Sequence, residues 1–140
     1  MEEEKVLVLD ASVAVKWFSA EKLSDKAHVI LKKYVDGEVE LIAPSLLFYE
    51  VANALRYNPR FGVKEVKAAL KALEDLAFRV YDFKGELATN AIETAYEAGI
   101  TVYDGAYVAL AEMEGATLYT ADEQVVIKVS TDYVKHLSEI

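Results

Sequence analysis

The sequence predicts an α/β fold with a central, mainly parallel sheet between two layers of helices. Three observations carry this reading. Val6-Leu7-Val8-Leu9 is an apolar run without alternation, the pattern of a strand covered on both faces. Short β-type runs then alternate with helical periodicities along the chain, as successive βα units do. No repeat, low-complexity tract or linker interrupts the 140 residues, so residues 1–140 are expected to form a single domain.

The first strand stops on Asp10, and ligands of open α/β sheets lie beyond the carboxyl ends of the strands. Residues 11–18 read as a short helix with Val13, Trp17 and Phe18 available for packing. After Ser19 and Ala20 the helical spacing resumes over residues 23–35 through Ala27, Ile30, Leu31 and Tyr34, and Gly37 suits its C-terminus. Residues 39–43 form the second strand candidate. Pro44-Ser45 opens a helix to about Tyr57, closed by Asn58-Pro59, with Leu47, Val51, Ala54 and Leu55 on one face. Residues 63–77 are amphipathic: Val66, Leu70, Leu73 and Ala77 line one side and Lys64, Lys67 and Lys71 another. Residues 78–83 are a strand, 84–98 a helix closed by Gly99, and 105–113 a further helix ending near Gly115. Residues 116–120 form a strand, a short helix begins at Ala121-Asp122-Glu123, and residues 133–137 an edge strand.

Composition narrows the chemistry. With no cysteine, disulfides, thiolate zinc sites and thiol catalysis are excluded, and oxygen ligands are the main means of holding a metal, which favours Mg²⁺ or Mn²⁺. The formal charge of -9 argues against broad electrostatic binding of a polyanion, so a nucleic-acid enzyme of this composition needs metal ions and a local basic patch. Arg56, Arg60, Lys64, Lys67 and Lys71 are that concentration, although for the lysines a solvated helix face is the simpler explanation. No apolar run approaches the roughly 20 residues of a membrane span, and Met-Glu-Glu-Glu-Lys does not resemble a secretory signal, so no membrane contact and a cytoplasmic location are expected.

Four acids occupy positions that solubility does not explain. Asp10 follows a buried-type strand, Glu50 interrupts an apolar helix face, Asp104 begins an apolar helix, and Asp122 follows the strand at residues 116–120. Singly, Asp104 and Asp122 are plausible helix N-caps and Asp10 a turn residue. Together, four carboxylates gathered by the fold repel one another unless a cation compensates.

The residues around these acids resemble a known family. Val8-Leu9-Asp10-Ala11-Ser12, Glu50-Val51-Ala52-Asn53-Ala54-Leu55, Tyr103 to Ala111 and Leu118-Tyr119-Thr120-Ala121-Asp122 are similar, in order, to the four acidic motifs of PIN-domain ribonucleases. They look most like the VapC toxin of VapBC toxin-antitoxin pairs. The resemblance implies a three-layer α/β/α PIN-like fold and cleavage of RNA phosphodiesters by water activated on one or two Mg²⁺ or Mn²⁺ ions. It also implies a homodimer and inhibition by a small cognate antitoxin. Asp10, Glu50, Asp104 and Asp122 match the catalytic and metal positions, and Ser12 and Thr120 the supporting hydroxyls. Asn53, one helical turn from Glu50, is a candidate partner for it, although an ordinary packing or surface role is the simpler explanation, and the basic residues would contact RNA phosphates.

Two features depart from the family pattern. Gly105 stands where alanine is more usual, and the segment between Asp122 and Tyr133 is short for a helix before the last strand. Two alternatives compete with the nuclease. An aspartyl phosphatase of the haloacid-dehalogenase type would use Asp10 as nucleophile, but its second acid belongs where Ser12 stands. A non-catalytic PIN-like module binding RNA or protein would not need all four acids.

Overall fold

A computed structural model of the chain describes residues 4–140. Its strands are β1 (Val6–Leu9), β2 (Glu40–Pro44), β3 (Arg79–Tyr81), β4 (Thr117–Thr120) and β5 (Val134–His136). They form one sheet in the order β3-β2-β1-β4-β5, with every neighbouring pair parallel. The unalternating run of β1 is explained by its central place: Leu7, Val8 and Leu9 are all buried.

Seven α-helices connect the strands: α1 (Ala11–Ala14), α2 (Ser24–Val35), α3 (Leu46–Arg56), α4 (Val63–Asp75), α5 (Gly85–Ala98), α6 (Val102–Glu114) and α7 (Glu123–Val129). The chain steps from β1 outward to β3 and then crosses back to β4. Right-handed crossovers in opposite directions leave helices on opposite faces, so α1 to α4 cover one side and α5 to α7 the other. The expected α/β/α layering is borne out. The reversal between β1 and β4 opens a crevice at the carboxyl ends of these two strands, next to Asp10 and Asp122.

Several element boundaries differ from the sequence reading, each for a physical reason. The helix expected over residues 11–18 is α1 followed by a 3₁₀ turn at Val15–Trp17; Trp17 packs against the core and its indole N–H donates to the Ala27 carbonyl at 2.8 Å. Ala77 does not continue the packed face of α4: it has φ 55° and is exposed, while Ala69 and Leu73 are the buried residues of that helix. α6 begins three residues earlier than expected, because the Thr101 hydroxyl accepts the Asp104 N–H at 3.0 Å and caps the helix. The short segment after Asp122 does hold a helix, α7, before the edge strand β5.

Gly105 has a packing role. A Cβ at this position would stand 2.5 Å from the Ala91 carbonyl oxygen, so glycine lets α5 and α6 approach where a methyl group would not fit.

Candidate active site

The parallel register sets Leu9 beside Tyr119, which brings Asp10 alongside Thr120 at the top of the sheet. The Thr120 hydroxyl donates to Asp10 Oδ2 at 2.8 Å, and the Ser12 hydroxyl donates to the same oxygen. These hydroxyls are themselves fixed: the Ala121 N–H donates to Ser12 Oγ at 3.0 Å and the Asp122 N–H to Thr120 Oγ1 at 3.1 Å. One oxygen of Asp10 is thereby anchored, while Oδ1 accepts no hydrogen bond from the described residues. Burial pushes the Asp10 carboxyl up to about 6, against the two hydroxyls that favour its charged form, and the Glu50 and Asp104 carboxylates push it further in the same direction.

Glu50 comes from the middle of α3 and is half-buried. Its Oε1 accepts a 2.6 Å hydrogen bond from the Tyr107 hydroxyl. Burial and the charge of Asp104 raise its pKa. Asp104, in the first turn of α6, is raised by burial and by the charge of Asp122. Asp122 caps α7, its Oδ1 accepting from Gln124 N–H at 2.9 Å and Val125 N–H at 3.4 Å. The N-cap expectation therefore holds for Asp122 and not for Asp104, whose helix is capped by Thr101.

The four acids thus share one end of the sheet and act on one another through space. Among the described residues no three acidic or histidine side chains converge closely enough to enclose an ion as they stand. The donor set nonetheless suits a hard divalent cation: it is all oxygen, and Asp10, Glu50 and Asp122 each commit one oxygen to the protein and leave the other without a partner. An added positive charge would offset both the burial that chiefly raises Asp10, Glu50 and Asp104 and the like charges that add to it.

The other expected residues fall at different distances from this centre. Ser12 and Thr120 stand against Asp10 as the motifs suggest. Asn53 is exposed and makes no side-chain hydrogen bond among the described residues, and it is Tyr107 that holds Glu50. Arg56 at the end of α3, Arg60 in the turn that follows, and Lys64, Lys67 and Lys71 on α4 are all exposed; Lys71 pairs with Asp75 at 3.3 Å and the Arg56 guanidinium lies 5.3 Å from the Tyr57 ring centre. Tyr107 was not anticipated. Its signal was its place three residues after Asp104, on the same side of the helix and within its apolar stretch from Gly105 to Ala111.

Residues 7–130 match the PIN domain family. The chain belongs to the PIN domain family. Among relatives, this PIN domain is 37% identical over 127 residues to ribonuclease VapC3 of Pyrobaculum aerophilum, covering 87% of the present chain and 93% of the relative. It is 28% identical over 96 residues to exonuclease VapC9 of the same organism, covering 69% of the present chain and 72% of the relative. Among solved structures, it superposes on a chain of a toxin-antitoxin complex from Klebsiella pneumoniae with TM-score 0.70, at 14% identity, over 97% of the present chain and 99% of the other. That last likeness concerns the fold.

Proposed function

We propose that this PIN domain is a metal-dependent endoribonuclease and the toxin component of a toxin-antitoxin pair. The observation that supports the reading is that Asp10, Glu50, Asp104 and Asp122 lie at one end of the parallel sheet, close enough to act on one another's charge, with unpartnered oxygens on Asp10, Glu50 and Asp122. The likeness to ribonuclease VapC3 along nearly its whole length supports RNA as the substrate.

Asp10, Glu50, Asp104 and Asp122 would hold one or two Mg²⁺ or Mn²⁺ ions. When bound, such an ion supplies an activated water and offsets charge building on the phosphoryl group. The chain's own residues fix the geometry around it. Ser12 and Thr120 hold Asp10 in one orientation, and Tyr107 does the same for Glu50. Positioning of this kind matters because a small misplacement of a reacting group costs a large factor in rate. The exposed Arg56, Arg60, Lys64, Lys67 and Lys71 would give the RNA backbone a local attraction that the net charge denies it. A homodimer, a small cognate antitoxin and a cytoplasmic setting complete the proposal. For the antitoxin, support comes from VapC relatives and from a chain of this fold solved in a toxin-antitoxin complex.

The phosphatase alternative is disfavoured by geometry. Ser12 replaces the second acid such an enzyme needs, and it donates to Asp10 and so weakens that carboxylate as a nucleophile. Exonuclease action has a specific basis in the likeness to VapC9. One assay separates these readings: a mixed pool of cellular RNA is incubated with the wild type and Asp104→Asn, with Mg²⁺ or Mn²⁺ and with chelator. Discrete internal cuts that need both Asp104 and the metal are expected, from an Asp104→Asn protein that melts like the wild type. Progressive trimming from the ends would replace the endonuclease with an exonuclease, and wild-type turnover by Asp104→Asn would overturn the site.

A further inference from the structure

Lys16 is a charged residue that the catalytic reading does not use. It lies in the 3₁₀ turn after α1, its side chain is only 10% exposed, and its ammonium donates to Glu21 Oε1 at 3.0 Å. That is its one side-chain hydrogen bond among the described residues, whereas an ammonium carries three donors. A buried ammonium with donors to spare favours a further anionic partner, because its desolvation is otherwise incompletely compensated.

The surroundings indicate what that partner is. Lys16 lines an open groove of about 630 Å³ together with Ser12, Glu21, Glu50, Tyr57 and Asn58. Ser12 and Glu50 place one end of the groove at the catalytic carboxylates. At Tyr57 the groove is lined by a ring that is 75% exposed and has the Arg56 guanidinium 5.3 Å from its centre. The groove therefore brings together an acid, a cation and an aromatic ring that Arg56 backs on one side, leaving the other for a ligand. This is the set of groups that a single-stranded nucleotide requires: a cation for the phosphate and a π-face for any base.

We propose that this groove is a subsite for the nucleotide flanking the scissile phosphodiester, with its phosphate on Lys16 and its base stacked on Tyr57. Glu21, whose side chain is 42% exposed, holds the ammonium until phosphate displaces it. The inference rests on the ribonuclease reading and names part of its substrate site.

Binding of a short fluorescein-labelled single-stranded RNA of mixed sequence, followed by anisotropy in the non-cleaving Asp104→Asn background, tests it. Lys16→Gln is expected to weaken binding and to lower the slope of log affinity against log salt by about 0.7, the share of one phosphate contact on a single strand. Tyr57→Ala is expected to weaken binding about tenfold with no change in that slope, and Tyr57→Phe to retain it. Because Lys16 is buried, Glu21→Gln gives an independent reading: removing the competing carboxylate should tighten RNA binding. If the wild type cuts RNA but Lys16→Gln, Tyr57→Ala and Glu21→Gln bind RNA as the background does, the subsite is wrong and the ribonuclease reading stands. If the wild type neither binds nor cuts RNA, both fall.

Discussion

Asp10 shows how a single side chain is tuned for its place. Two hydroxyls hold one of its oxygens, yet burial and its acidic neighbours leave its pKa raised to about 6. A carboxyl whose pKa is higher in the folded than in the unfolded protein binds more protons when folded, so its contribution to stability falls as pH rises from about 4 to about 6. In chelator, Asp10→Asn should therefore lose this part of the pH dependence. Relative to the wild type it should gain stability between pH 4.5 and pH 7, by at most ~3 kcal/mol for a shift of this size. Urea unfolding of both proteins at the two pH values measures the difference, and a relative stability that does not change with pH would contradict the burial assigned to Asp10. At this scale the sequence was informative about the four acids, because each begins, ends or interrupts an apolar run, whereas Ser12 and Thr120 were picked out through the family resemblance. Tyr107 was hidden by its own chemistry: an aromatic ring within an apolar helix reads as core, and only the fold brings its hydroxyl to Glu50, 57 positions earlier in the chain.

Among the elements, α6 carries the tightest constraints. It supplies Asp104 and Tyr107 from one side, and it meets α5 so closely at Gly105 that a methyl group would press on the Ala91 carbonyl. Gly105→Ala would relieve the helix-propensity cost of glycine, about 1 kcal/mol, but must push the two helices apart. Overpacking of this kind typically costs about 1–3 kcal/mol, so a net loss of stability is expected in urea unfolding. A gain would mean that α5 and α6 adjust freely there. The order and type of the elements were legible because hydrophobic periodicity marks them strongly. Their ends were less so, since Thr101 captures α6 through one local hydrogen bond and Ala77 leaves α4 through a left-handed turn. Neither event alters the apolar pattern.

For the whole molecule, strand order is decisive. The reversal at β1 and β4 gathers acids from positions 10 and 122, and the helices packed on opposite faces bring in those at 50 and 104. Pairing order cannot be read from periodicity, which is why the four acids could be singled out in the sequence while their meeting had to come from resemblance. Another property at this scale is the exposed apolar group Tyr49, Phe83, Val102 and Tyr103, which surrounds a pocket of about 250 Å³. Such a patch suits the proposed homodimer. Tyr103→Asp is expected to convert a dimer to a monomer in sedimentation, and an unchanged mass would place any dimer contact elsewhere.

The central claim is that separate acids from two helices and two strand ends behave as one cation-dependent centre. It is tested most directly by titrating Mn²⁺ into the wild type, Asp10→Asn and Asp104→Asn at pH 7, with folding of each checked by circular dichroism. Saturable binding by the wild type and a loss of about tenfold or more in affinity in either variant is the expected result, as removal of one carboxylate from an all-oxygen set would produce. No Mn²⁺ binding by the folded wild type, or equal binding by all three proteins, would contradict it.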